Sequence, residues 1–138
     1  DEVEANIGIS KKYNVFELQT AITSNQKAKA LEIANYFAAN TRETSLFAII
    51  GILYSYFEKL FVYLQLSNSK SSASLAAEMG VKPYFLDQYG RSAQHFNMKK
   101  VLDIFKLLRS YDLKVKGVDC IASESELMRE MIYKIVHL

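Results

Sequence analysis

The chain is poor in the residues that most often carry chemistry. Its 138 residues include one Cys, two His, one Pro, five Gly and no Trp. Lone Cys120 cannot close an internal disulfide, which fits a reducing cytoplasm. It also has no neighbouring His or helix start that would make it a nucleophile, so it reads as a packing residue or an exposed thiol. His95 and His137 have no partner at metal-ligand spacing, and no Gly-rich loop of the nucleotide-binding kind occurs. No metal, cofactor or catalytic set is expected. Charge of one sign is lacking too: 17 basic residues stand against 15 acidic ones. A phosphate-tracking surface needs a concentrated basic stripe, which this balance does not predict. The acidic start, Asp1-Glu2-Val3-Glu4, cannot serve as a secretory n-region and reads as the last turn of something upstream in a longer protein. Period-two alternation is missing throughout, which favours an all-α chain.

What remains is apolar and aromatic. Half of the residues are hydrophobic, with 9 Tyr and 8 Phe, enough for a single domain with a real core and incompatible with a disordered tail. Leu46 to Leu66 is apolar almost without a break. About 20 such residues can span a bilayer, but Glu58, Lys59 and three tyrosine hydroxyls interrupt it, so a buried central helix is expected.

Helix punctuation divides the rest. Asn14 with Glu17 forms a capping box before a short helix. Asn25 is expected to cap a second helix, Gln26 to about Ala39, and Thr44 or Ser45 the long apolar one. A serine-rich loop, Ser67 to Ser72, precedes a short helix from Ser74 to Met79 that Gly80 closes. Pro83 suits the first turn of a helix running to Phe96. Asn97 caps a long basic helix that Gly117 ends, and Ser123 with Glu126 marks the last one. The sum is one bundle of about seven helices over residues 1–138, with no repeat and no second domain.

Within that bundle a few residues invite a functional reading. Val101, Ile104, Phe105, Leu108, Tyr111 and Val115 form one apolar helix face. Asp112 lies on it, with Arg109 three residues before and Lys116 four after, so these three are expected to make an ion-pair corner. Lys99, Lys100, Lys106, Arg109, Lys114 and Lys116 spread round the polar side of the same helix as a solvated face. The segment Ser74 to Leu86 has the Ala–Gly spacing of a helix-turn-helix. Its second helix begins Pro83-Tyr84-Phe85-Leu86-Asp87, where base-edge donors and phosphate contacts are wanted. A packing corner is therefore favoured, and a DNA-binding regulator is the alternative. Amphipathic rings are enriched where proteins meet, and Tyr84, Phe85, Tyr89, Tyr111 and Tyr133 are the candidates for such a surface.

Three segments in order, Ile9-Ser10-Lys11-Lys12-Tyr13-Asn14-Val15-Phe16-Glu17-Leu18, Gly80-Val81-Lys82-Pro83-Tyr84-Phe85 and Leu108 to Gly117, resemble the C-terminal domain of the delta subunit of bacterial DNA polymerase III, a clamp-loader component. The resemblance implies an all-α domain of clamp-loader collar type, without catalytic residues. It implies partners among the other loader subunits, of delta-prime and gamma/tau type, met through their C-terminal domains. It implies contact with the sliding clamp only through an N-terminal region not included in this sequence, contact with DNA at most indirectly, and none with a membrane.

Overall fold

The computed structural model describes residues 12–118 and 120–138. The acidic first residues, and Ile9 to Lys11 of the first resembling segment, lie outside that range. Among the described residues seven α-helices follow one another: α1 (Val15–Thr23), α2 (Lys27–Ala39), α3 (Leu46–Leu66), α4 (Ser72–Met79), α5 (Leu86–Ala93), α6 (Met98–Val115) and α7 (Glu124–Val136). A 3₁₀ turn, Pro83–Phe85, precedes α5. Among the described residues there is no strand, and the protein is all-α.

The helices start where short side chains can accept from orphan N–H groups. Asn14 Oδ1 accepts from the Glu17 N–H at 2.9 Å while Glu17 Oε1 accepts from the Asn14 N–H at 3.3 Å, a complete capping box. Ser45, Asn97 and Ser123 cap α3, α6 and α7 from their side chains. At Ser123 the box is altered, because the Glu126 carboxylate takes the serine hydroxyl rather than the backbone N–H.

Three expected boundaries move, each for a local reason. Asn25 does not cap α2. It sits at φ 61, and its N–H and that of Gln26 reach back to the Ile22 and Ala21 carbonyls, ending α1 in a Schellman motif. Asparagine suits a helix start and a left-handed stop alike, and here the stop wins. Helix α4 begins two residues earlier than expected because Ser71, not a later serine, accepts from the Ser74 N–H. The helix expected from Pro83 to Phe96 is instead a 3₁₀ turn and the shorter α5. Gly80 and Gly117, at φ 72 and 87, close α4 and α6 as their sequence positions imply.

Helix α3 is the hub: α6, α4, α5, α1 and α7 all pack on it, while α2 lies along α7 and α1. Its buried side presents Leu46, Ile49, Leu53, Tyr56, Phe57 and Leu60 to the common core. The first turn of α7 ties two distant helix ends together. Glu124 Oε2 accepts from the Leu46 N–H at 2.7 Å, capping α3 from 78 residues away. Ser125 donates its hydroxyl proton to the Ala38 carbonyl at 2.6 Å, near the end of α2. Glu124→Ala leaves the N–H of fully buried Leu46 without its acceptor and is expected to cost about 1–2 kcal/mol. Glu124→Gln, which keeps an acceptor, costs less. Urea titration distinguishes them; an alanine variant as stable as the parent would show that the cap contributes nothing.

Candidate docking surface

The long apolar helix is central but not buried all round. It is long and apolar enough to cross a membrane, with a mean hydropathy of 1.5, yet only 39% of its most apolar stretch is buried. The buried part is the centre of the protein's own core. The open part carries Phe47 and Tyr54, which are 62% and 44% exposed. The expected central helix is the core helix, with one face left open: apolar round most of its girth, its sequence does not say which residues the neighbours leave uncovered.

A groove runs along that open side between α3 and α6, with a volume of about 550 Å³. Phe47, Gly51 and Tyr54 line it from α3, and Phe105, Arg109 and Asp112 from α6. The Tyr54 and Phe105 rings lie 5.2 Å apart between centroids and join the two walls. A second groove of about 450 Å³ lies on the other side of α3, where exposed Phe16 and Phe85 face Ile52 and Lys59. Helix α3 is thus a ridge flanked by two apolar channels.

The residues singled out from the sequence divide between surface and core. Tyr84 is 70% exposed, Phe85 is exposed beside it with ring centroids 4.6 Å apart, and Tyr133 is 56% exposed under the His137 ring. Tyr89 and Tyr111 cannot belong to a rigid docking surface, because they are 6% and 0% exposed. Tyr89 stacks on Tyr56, at 4.7 Å and 18°, and Tyr56 bonds Ser92 at 2.6 Å. Burial pushes the phenol of Tyr89 up to about 12 and raises that of Tyr56 as well. Tyr111 closes the seam between α6 and α7. Its hydroxyl donates to the Glu130 carboxylate, and the Lys114 and Lys134 ammonium groups sit 4.5 and 5.5 Å from its ring centroid. Burial, followed by that hydrogen bond, holds the Tyr111 phenol above its ordinary value, while the hydroxyl and Lys134 hold Glu130 below the usual carboxylate range.

The ion-pair corner is half as expected. Lys116 Nζ stands 3.0 Å from Asp112 Oδ2, but Arg109 makes no ion pair with that carboxylate and is exposed. Asp112 is not aimed into the core. The buried stripe is Val101, Ile104, Leu108 and Tyr111, and the next position turns about 100° away, to the edge of the α3–α6 groove. The basic face of α6 is partly neutralised within the chain, by Lys99 with Asp103 and Lys114 with Glu130.

The segment with helix-turn-helix spacing is a scaffold corner. Its second helix has eight residues, follows a 3₁₀ turn, and buries Tyr89 and Ser92 against α3. Cys120 is a half-buried free thiol, and among the described residues no three His, Cys, Asp or Glu side chains gather as metal ligands. Phe47 and Phe16 are surface residues that the sequence pattern does not single out. Gly51, with Ser55 and Glu58 at the next helical steps, is the signal that marks the open face.

These features define a helical packing domain: seven helices around one aromatic-rich core, with its distinctive chemistry on an apolar, cation-rimmed exterior. The chain belongs to the family formed by the C-terminal domain of the DNA polymerase III delta subunit, whose model matches residues 12–133. It is thereby a non-catalytic domain of a protein of the clamp loader. No curated protein and no solved structure matches it.

Proposed function

We propose that this domain assembles its delta subunit into the clamp loader, joining the C-terminal domains of delta-prime- and gamma/tau-type subunits in a collar. The collar holds the loader together while other regions act on the sliding clamp. The observation that supports this best is the apolar ridge of α3, with Phe47 and Tyr54 exposed on one flank and Phe16 and Phe85 on the other. Contiguous exposed aromatics of this kind mark surfaces that another protein covers. Tyr84 extends the contact beside Phe85, Tyr133 offers a separate one beside α2, and the Asp112–Lys116 pair, with Arg109 beside it, fixes register at the groove's rim. Residues 1–138 act as one domain of a longer intracellular protein. The role needs no cofactor, and DNA is met only through the rest of the loader.

Sedimentation velocity of the full-length protein mixed with purified delta-prime- and gamma/tau-type subunits tests the reading. A faster-moving complex is expected at concentrations on the order of tens of micromolar. Separate boundaries for every component at those concentrations would overturn it.

A further inference from the structure

Gly51 occupies the interior of a 21-residue helix, where glycine is the poorest residue after proline. No described residue requires it there. A methyl group added at Gly51 meets no atom of a neighbouring described residue within 4 Å, and its backbone has ordinary helical geometry. Alanine would fit and would strengthen the helix. A glycine that the chain's own packing does not use, on the floor of an apolar groove, keeps space for something that comes from outside.

The rim says what that is. Asp112 is already neutralised by Lys116 at 3.0 Å. Lys106 and Arg109, on the same wall, have no ion-pair partner among the described residues. The groove is therefore apolar within and cationic at the edge. A second copy of this chain is a poor occupant, since a two-fold contact through this patch brings two cationic rims together.

We propose that the α3–α6 groove receives one helix from the C-terminal domain of a neighbouring loader protein. The helix lays an apolar ridge over Gly51, between Phe47, Tyr54 and Phe105, and sets a flanking carboxylate on Arg109. The proposal rests on the assembly reading above and assigns the contact to one face. Close approach at Gly51 lets the ridge reach the α3 backbone, and the bidentate guanidinium fixes its register.

The test uses the full-length protein with purified delta-prime- and gamma/tau-type subunits, and reads affinity by sedimentation and folding by thermal melting. Gly51→Ala should melt about 3 °C higher. Gly51→Leu fills the groove, and Arg109→Glu reverses its rim; each should weaken the complex at least ~10-fold with the melt retained, whereas Arg109→Lys should bind more nearly as the parent does. If the parent protein forms no complex, the assembly reading fails and this proposal with it. If it forms one and both Gly51→Leu and Arg109→Glu bind equally well, assembly stands and the groove is not its site. Self-association of the protein alone, abolished by Gly51→Leu, would give the groove to a second copy and likewise overturn the proposal.

Discussion

Tyr111→Ala is expected to lower the unfolding free energy by about 3–5 kcal/mol, the range for removing a large aromatic side chain from a core. The ring is fully buried where α6 meets α7, so little can move in to fill the space. Two further losses accompany it. The Glu130 carboxylate loses its hydroxyl donor, and the Lys114 and Lys134 ammonium groups lose the aromatic face they sit over. Glu130 keeps Lys134 at 3.3 Å and Lys114 at 3.8 Å, so its charge is not stranded. Tyr111→Phe separates these contributions. It retains the ring and should cost less, about 1.5–3 kcal/mol, the scale of one hydrogen bond to a charged group. Urea titrations of the three proteins measure this as a fall in midpoint at constant slope. A loss below about 1 kcal/mol for the alanine variant would mean that the α6–α7 seam is not rigidly packed.

The second large effect lies at high pH. Tyr89 is neutral in the folded protein, and its phenol is raised from 10.0 to about 12 by burial against the Tyr56 ring. A raised folded value means that the native state holds its proton more tightly than the unfolded chain does. The stabilisation is complete below pH 10 and is lost progressively as the pH climbs from 10 towards 12. A shift of that size corresponds to roughly 2–3 kcal/mol for Tyr89, and Tyr56, raised by burial as well, adds in the same direction. Arg91, whose charge acts on Tyr56, opposes its part of the shift. Chemical unfolding at a series of alkaline pH values should show stability dropping across this window. Tyr89→Phe, which cannot ionise, should flatten the drop. An equally steep decline in that variant would assign the alkaline transition to other groups.

Both aromatic predictions concern residues that the sequence offers for a surface, although its periodicity also sets Tyr111 on the apolar face of α6. Tyr89 and Tyr111 group with Tyr84, Phe85 and Tyr133 because all five rings are aromatic, and a ring's type does not say which way its helix is turned. The buried stripe of α6 settles Tyr111, which follows Leu108 at a three-residue step. Helix α5 is short and mostly polar, and its one aromatic ring, Tyr89, is buried by stacking on Tyr56 of α3. The error at α3 has the opposite cause. A helix apolar round most of its girth gives little periodicity from which to read exposure, so the sequence does not mark Phe47 as a surface residue. Spacing brings Arg109 within reach of Asp112, but the structure leaves Lys116 alone to make the pair and Arg109 facing solvent.

By itself the amino-acid order determined the all-α class, the number of helices, most of their ends and the resemblance to delta C-terminal domains. Those features depend on contacts spanning a turn or less, such as the capping box of Asn14 and Glu17 and the left-handed stops at Gly80 and Gly117. Tertiary structure alone decided which apolar faces were spent on the core and which stayed open. It put Glu124 on the start of α3, sank Tyr89, and opened the groove over Gly51. The physical reason is range. A hydrogen bond between near neighbours is written in adjacent residues, whereas burial is fixed by helices that meet in space after dozens of residues of intervening chain.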